Sequence, residues 1–444
     1  MTRLAALRAP VALGLLAALA SPARAADLWV GPGHPHATIQ SAIDAASSGD
    51  RIFVAAGSFP NFVLSKPVEI RGLGSNKTFV RDFSPAGYTR VTGIPLGTTA
   101  TLAGMAFDYV EPSITTSHPL VDLADNQGTI VLQSLRINQQ WLAYHIGPGL
   151  RAFYSGRVIA QDCAIRGSRG TQFGGVGDPA IVAQDTKLVL SDCELRASDF
   201  QGAKFASGAP GAPALSAAFC DLFLARLDAR GGSGGVDTFT LLSFPGGPAI
   251  ALSSGTLHAA GGPQNLLKGG PAPTLTPAPG AAGVALSNGA SAAFAADVHI
   301  EGGTDSTGVA LGPPVSLSSG ATSLVDPFEQ PTLAAGTEFA AIGANAALQH
   351  AGIPGALVVP LLSGGLGPLT WGVWGNGVHG FAQIDLTAMA LLPAKTLDAS
   401  GLATTTIPVP PSLALAGAHA WFQCAEVSSE GVWISNPTRI AIVR

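Results

Sequence analysis

The feature that most constrains the fold is an internal repeat with a period near 30 residues. A ten-residue phrase over 158–167 returns over 188–197 with every matched position shifted by 30, and a weaker copy spans 222–231. Apolar residues alternate with polar ones in each copy, and Gly, Pro, Asp and Ser separate the runs, which is typical of short strands. A unit this short cannot bury its apolar residues alone, so the repeat predicts stacked coils.

A second phrase, a Pro or small residue followed by a short apolar run, marks the same units. Its copies begin at Pro119, Pro148, Pro179, Pro213, Pro248, Ala282 and Thr307. The spacings predict one coil of a β-solenoid for each copy, with parallel strands stacked about 4.8 Å apart. The leftover Gly-, Pro- and Ala-rich segments, for example 207–213 and 269–280, are expected to be loops that leave the coils.

Composition supports the prediction of an all-β chain and argues against nucleic-acid binding. Only 11% of the residues are charged, and Glu and Lys, which favour exposed helices, are scarce. The 56 Gly and 33 Pro residues indicate a chain rich in turns. The net charge of −5, without a basic domain, argues against a nucleic-acid partner.

The first 25 residues have the pattern of a secretory signal peptide. Arg3 and Arg8 precede a short apolar stretch, and Ala23-Arg24-Ala25 is a small-x-small cleavage site. The mature chain is therefore expected to begin at Ala26 and to lack a membrane span. Its expected location is extracellular or at the cell surface, and the periplasm is an alternative. Four Cys residues do not suggest a disulfide scaffold, and their spacing does not suggest zinc.

The segment 38–74 carries the most recognisable pattern. Ile39, Ala42, Ile43 and Ala46 predict one short amphipathic helix, and Gly49-Asp50 leads from it into a strand. This segment resembles the first coil of right-handed parallel β-helix proteins of the pectin-lyase-like superfamily. The resemblance implies a helix that caps one end of a β-helix over 26–325. Lyases, hydrolases, esterases, adhesins and structural proteins share this fold, so it does not define the function.

The repeat pattern does not continue into the remaining segment, 326–444. This segment contains strands punctuated by turns, and Pro-rich stretches separate some of them. Strands are predicted over 357–361, 371–374, 381–386, 418–425 and 439–443. We expect a small antiparallel β-sandwich, which resembles modules appended to exported bacterial repeat proteins.

The candidate ligand-binding residues come from an Arg-rich stretch with interleaved aromatics and from the matched repeat. Between 126 and 177, five Arg residues, including Arg136, accompany one acidic residue, Asp162. Guanidinium groups suit carboxylates and sulfates, and flat rings suit sugar faces. The predicted site comprises Trp141, Tyr144, Arg151, Arg166, Asp192 and Arg196. The alternative is a solvated Arg face on loops, with the aromatics folded into the core.

Matched positions in successive units form two columns, and each column has two possible interpretations. Arg166, Arg196 and Arg230 form one column, which either binds a polymer along the solenoid or forms an ion-pair ladder that relieves like-charge stacking. Cys163 and Cys193 form another column, expected to be a ladder of buried thiols, with a disulfide as the less favoured alternative.

No complete catalytic motif is present, so no catalytic residue, metal site or cofactor is predicted. The Asn-Thr-Asp, Asp-Asp and Arg-Ile-Lys motifs of polygalacturonase-like hydrolases are missing. A pectate-lyase-like site would need an acidic calcium cluster and an Arg base, which Asp185, Asp192, Glu194 and Arg196 could imitate. Calcium is expected only under that alternative.

Two functional hypotheses follow. The first is an exported, non-catalytic β-helix protein with a structural, surface or polysaccharide-binding role, whose partner is an acidic polysaccharide or cell-surface component. The second is a polysaccharide lyase or glycoside hydrolase that acts on uronate glycans. A monomer is expected in either case.

Overall fold

The structure is a computed structural model that describes residues 25–443 outside the gaps 83–86, 110–117, 138–146, 169–176, 200–208, 238–239, 261–265, 275, 296–297, 310, 327–331, 336–338, 365, 372–377, 385–388, 413–418, 429–430 and 436–437. The predicted signal peptide lies outside these residues, apart from Ala25. Contacts divide the chain into a unit that contains 26–259 and 263–326 and a unit that contains 327–444. In the described residues, no helix is long and apolar enough to cross a membrane.

The first unit is a parallel β-solenoid whose coils have three faces. On the first face, the ladder contains β4 (Val63–Leu64), β7 (Thr89–Thr92), β14 (Ile181–Gln184), β21 (Val284–Ser287), β24 (Val315–Leu317) and the first halves of four long strands. These long strands bend around a corner into the second face, and they are β10 (Val121–Gln133), β12 (Leu150–Gln161), β17 (Leu215–Ala225) and β19 (Ile250–Ala260).

The other strands of the second face pair with the second halves of the long strands or extend their ladder. They are β1 (Asp27–Val30), β2 (Arg51–Val54), β5 (Glu69–Gly72), β8 (Thr99–Ala103), β15 (Lys187–Ser191), β22 (Ser291–Ala295) and β25 (Thr322–Asp326).

The third face is a separate parallel sheet of short strands. They are β3 (Gly57–Phe59), β6 (Thr78–Asp82), β9 (Ala106–Tyr109), β11 (Arg136–Ile137), β13 (Ala164–Arg166), β16 (Glu194–Arg196), β18 (Asp228–Arg230), β20 (Leu266–Lys268) and β23 (His299–Glu301). Apolar side chains that alternate along all three faces, such as Leu188, Leu190 and Leu195, fill one continuous core. The predicted β-helix is confirmed.

The register follows the repeat found in the sequence. Val158 pairs with Leu188 and Arg166 with Arg196, which is the predicted shift of 30. One repeat prediction is wrong, because the coil after Val284 pairs through Val315 and not through the phrase at 307–309. Val309 is 83% exposed, so this phrase belongs to a turn of small residues outside the core.

The predicted helix is present as α1 (Ile39–Ala45), and its buried face consists of Ile39, Ala42 and Ile43. Thr38 caps its N-terminus by accepting a hydrogen bond from the Ser41 backbone N–H at 3.1 Å. Lys66 donates to three carbonyl groups at its C-terminus, at 2.8–3.0 Å. A cation at this end also complements the helix dipole.

The second unit contains a small, mainly antiparallel sheet region, as predicted. One sheet contains β26 (Thr332–Ala335), β28 (Asn345–Ala351) and β34 (Leu402–Pro408). The other strands are β27 (Phe339–Ala341), β29 (Leu357–Ser363), β30 (Leu366–Trp371), β31 (Val378–Ile384), β32 (Met389–Leu391), β33 (Lys395–Thr396), β35 (His419–Ser428), β36 (Gly431–Ile434) and β37 (Thr438–Val443). Of the strand predicted over 371–374, residues 372–374 lie outside the described residues.

Candidate functional site

Each central coil turns two corners through a residue with a left-handed backbone. The first corner joins the first and second faces, and its left-handed residues are Asp125, Tyr154, Asp185, Phe219, Ser254, Asn288 and Ser319. The second corner joins the second and third faces, and its left-handed residues are Gly104, Ser134, Asp162, Asp192 and Arg226. Both columns continue over several coils, so they arrange side chains in lines parallel to the solenoid axis.

A groove of about 510 Å³ lies along the second corner. We call it the corner groove. It is framed by corner residues and by the first residues of third-face strands, and its charged lining is Arg136, Asp162, Asp192, Glu194, Arg226 and Asp228. These residues come from four neighbouring coils, so the groove extends roughly 14 Å along the axis at the usual strand spacing.

One wall of the corner groove is a fixed ion pair. Arg226 donates from Nε and Nη2 to the two carboxylate oxygens of Asp192, each at 2.5 Å. Such a two-pronged pair fixes the orientation of both side chains. Asp192 therefore presents an oriented carboxylate to the groove.

The other paired carboxylates belong to an ion-pair ladder on the third face, formed by Arg166, Glu194, Arg196, Asp228 and Arg230. Glu194 lies 3.1 Å from Nε of Arg196 and 3.5 Å from Nη2 of Arg166. Asp228 accepts from Arg196 at 2.8 and 2.6 Å and from Nε of Arg230 at 3.1 Å. Of the two interpretations of the Arg column, the structure supports the ladder.

The ladder favours the charged forms of Asp228 and Arg196. Burial opposes ionisation of Asp228, but hydrogen bonds from Arg196 and Arg230 and their charges outweigh it and hold the pKa of that carboxyl below its ordinary value. Burial likewise opposes the charge of Arg196, but the bonds to Asp228 raise its pKa overall. Asp228 is therefore poorly suited to donate a proton near neutral pH.

Arg136 and Asp162 differ from the other charged groups in the groove. Both are exposed, and within the described part of the chain neither side chain has an ion-pair partner. Ala164 lies between Arg136 and Glu194 in the third-face column and pairs with both in register. This small side chain leaves the space beside Arg136 open.

The predicted site residues fall into separate places. Arg166, Asp192 and Arg196 lie at the second corner and the third face, in the groove wall and the ladder. Arg151 lies on the first face, where it forms a two-pronged pair with buried Asp122 at 2.8 and 2.9 Å. Trp141 and Tyr144 lie outside the described residues.

The acidic cluster that a pectate-lyase-like site would need, Asp185 with Asp192 and Glu194, does not form. Asp192 and Glu194 both line the corner groove, but Asp185 lies at the first corner, at the opposite end of β15. In the described residues, no group of three or more His, Cys, Asp or Glu side chains is arranged to hold a metal ion. The physical reason is the second-face strand, which separates the two corners.

Two thiols line the corner groove from the core side. Cys163 and Cys193 are nearly fully buried and free, as are Cys220 and Cys424. Burial, with a hydrogen bond to Cys163, raises the pKa of Cys193 well above its ordinary value. The buried thiol ladder is therefore the arrangement in the structure, and the Cys193 thiol is a poor nucleophile.

Sequence reasoning missed the part played by Arg226 and Asp228, and it counted Arg136 in the Arg-rich stretch without including it among the predicted site residues. Arg136 and Asp228 precede the matched Arg column by two residues, so alternation on the third face places them on its outer side. A stricter alignment of the units would have found Asp228 and Arg136. The left-handed position of Arg226 has no comparable signal, because Arg rarely occupies such turns.

No family model matches the sequence, and a search of curated proteins gives no match. Solved structures similar to this chain include three phage tailspikes. The enzymatically active domain of bacteriophage CBA120 tailspike protein 2 has 10% identity and a TM-score of 0.34 over 95% of this chain and 76% of that one. Full-length tailspike protein 2 from an Escherichia coli O157:H7 bacteriophage has 10% identity and a TM-score of 0.33, over 95% and 68%. Tailspike gp49 of Acinetobacter baumannii bacteriophage Fri1, a capsular polysaccharide depolymerase, has 9% identity and a TM-score of 0.27, over 95% and 82%.

Proposed function

We propose that this protein binds an acidic polysaccharide along the corner groove and does not cleave it. The observation that carries the proposal is Arg136, an exposed guanidinium in the groove wall with no carboxylate partner among the described residues. A guanidinium fork recognises a carboxylate by two parallel hydrogen bonds. Arg136 thus supplies the anion contact that Arg151, Arg166 and Arg196, which already hold carboxylates, were predicted to supply.

The remaining lining suits the hydroxyl groups of a sugar chain. Asp162 offers an acceptor without an ion-pair partner, and Asp192 is held in a fixed orientation by Arg226. Because the groove crosses four coils parallel to the axis, it accommodates an extended chain better than a compact ligand. We expect the protein to act outside the cytoplasm, as a monomer.

Affinity electrophoresis in gels that contain polygalacturonate tests this proposal. Wild-type protein should be retarded, and Arg136→Gln should lose about tenfold in affinity, the value of one charge-assisted contact. The matched control is Arg230→Gln, which removes an exposed third-face Arg that pairs with Asp228 and does not line the groove. Equal retardation of wild type and Arg136→Gln would reject the assignment.

The alternative is a lyase or hydrolase that acts in the same groove. It is favoured by the carboxylates of Asp162 and Asp192, which line the groove from adjacent coils together with Arg136. The pKa of Asp228 argues against that residue as a proton donor, since its shift is downward. Incubation with acidic polysaccharides, with and without calcium, followed by measurement of chain length decides between the two. We expect no shortening.

A further inference from the structure

We propose that the first corner carries a second glycan-binding surface, separate from the corner groove, that takes a neutral polysaccharide. We call it the aromatic corner, and it consists of Tyr154, Asp185 and Phe219. The proposal rests on this corner alone and does not depend on ligand binding in the groove.

The aromatic corner conflicts with what the turn requires. Tyr154 and Phe219 have φ values of +51° and +54°, a region that bulky side chains rarely adopt. At the equivalent turns of other coils, the chain uses Asp125, Ser254 and Asn288, whose short polar side chains tolerate this backbone. Folding therefore does not explain two aromatic residues in this column.

Both rings are also open to solvent. Tyr154 is 55% exposed and Phe219 is 62% exposed. A strained backbone and an exposed ring at the same position, twice in one column, indicate that the rings serve a contact made outside the fold.

The spacing of the two rings fits an extended sugar chain. Phe153 pairs with Gln184, and Gln184 pairs with Ala218, so Tyr154, Asp185 and Phe219 follow one another in three successive coils. The two aromatic positions are thus two coils apart, about 10 Å along the axis. Rings at this separation can stack on alternate sugars of a chain that runs along the corner.

Polar groups fill the interval between the rings. Nε2 of Gln184 donates to the Tyr154 hydroxyl at 3.0 Å and to Asp185 Oδ2 at 3.1 Å. This arrangement orients Tyr154 and leaves the exposed Asp185 carboxylate available to accept hydrogen bonds from sugar hydroxyls. Asp125 precedes Tyr154 in the column, and its carboxylate lies 3.8 Å from Nη2 of Arg90. Between the rings the column therefore offers the Asp185 carboxylate and no Arg equivalent to Arg136 of the corner groove, which favours a neutral chain over an anionic one.

The test uses cellohexaose, a neutral chain with flat sugar faces, and titration calorimetry on the purified protein. Tyr154→Asn and Phe219→Asn should each weaken binding by roughly fivefold or more. Because Asn tolerates the left-handed turn, neither change should lower the melting temperature. Ser254→Asn, in the same column, is the matched control and should bind as wild type does. Retardation by polygalacturonate should be unchanged in both aromatic variants, which separates this proposal from the groove.

Three results would overturn the proposal. Absence of cellohexaose binding by the wild type is the first. A fall in melting temperature in the Asn variants is the second, because it would assign the rings a structural role. The third is concentration-dependent dimerisation of the wild type in sedimentation that a variant carrying both Tyr154→Asn and Phe219→Asn lacks, because the rings would then contact a second copy of the chain.

Discussion

The two corners of the solenoid use the same left-handed turn but place polar and apolar groups on opposite sides. Inside the first corner, buried Asn126, Ser155 and Thr186 form a hydrogen-bonded ladder, whereas exposed aromatic rings stand outside. Inside the second corner, the buried residues are apolar or thiols, such as Leu135 and Cys163, and ion pairs stand outside. The left-handed turn thus fixes the backbone at both corners. The buried inner side of each corner supplies stability, and the exposed outer side supplies ligand contacts.

The largest effect is expected inside the first corner, at Asn126. Its side chain accepts from the Ile94 N–H at 3.1 Å and donates to the Val91 carbonyl at 3.0 Å, and it is 1% exposed. Asn126→Leu should cost about 3 kcal/mol of unfolding free energy, because buried partners lose their hydrogen bonds. Urea unfolding followed by circular dichroism measures this. A cost below about 1 kcal/mol would show that the ladder does not stabilise the corner.

Asp178 lies at the corner between the third and first faces, and its effect on the unfolding free energy should depend on pH. Burial raises the pKa of Asp178 to about 6, although the Gly147 N–H donates to its carboxylate at 2.7 Å. A carboxyl whose folded pKa exceeds its unfolded value destabilises the fold as pH rises from about 4 to 6. Asp178→Asn should therefore raise the unfolding free energy by roughly 2 kcal/mol at pH 7.

The same pair of proteins should be nearly equally stable at pH 3.5, where Asp178 is protonated in the folded chain. Thermal unfolding at pH 3.5, 5 and 7 gives the comparison, with Asp185→Asn as an exposed-carboxylate control. A difference between wild type and Asp178→Asn that does not grow with pH would contradict the assignment.

A smaller effect is expected outside the second corner. Asp192→Asn removes the charge of the two-pronged pair with Arg226 and keeps a residue that tolerates the left-handed turn, and the Asp192 side chain is 44% exposed. Exposed pairs stabilise by about 1 kcal/mol or less and weaken with salt. The cost should shrink when urea unfolding is repeated in 1 M NaCl. A cost that is independent of salt would indicate that packing of Asp192 matters more than its charge.

The smallest effect concerns the turn itself. Phe219→Gly relieves the left-handed backbone of an exposed aromatic residue and should raise the unfolding free energy by about 0.5 kcal/mol. Ala217→Gly, two residues earlier in β17, serves as the contrast, because Gly inside a strand should destabilise. Destabilisation by Phe219→Gly would show that this ring contributes to the fold.

The sequence predicted the coils and their register because parallel stacking places equivalent positions of each unit side by side. The shift that aligns Val158 with Leu188 is visible in the letters and reappears in the strand pairs. The phrase at 307–309 was wrongly predicted to start a coil, since Gly and other small residues mark turns as well as strand starts in this chain. The helix Ile39–Ala45 followed from the spacing of its apolar residues.

The candidate site was less accessible from the sequence. Arg166 and Arg196 were identified correctly as a column, but the carboxylates that hold them come from the next third-face strands. Whether an Arg is free or paired depends on side chains in the neighbouring coil, and sequence spacing alone does not identify these partners. The left-handed turns are similarly hidden, because residues as different as Asp162, Phe219 and Arg226 occupy them.

Hydrogen–deuterium exchange with and without polygalacturonate tests the central claim, that an acidic chain lies along the corner groove, most directly. With polygalacturonate bound, exchange in the wild type should slow over 134–136, 162–164, 192–194 and 226–228, and it should not slow there in Arg136→Gln. Exchange over 152–155 and 217–220 should not change. Protection confined to the first corner, or protection of the groove that persists in Arg136→Gln, would contradict the claim.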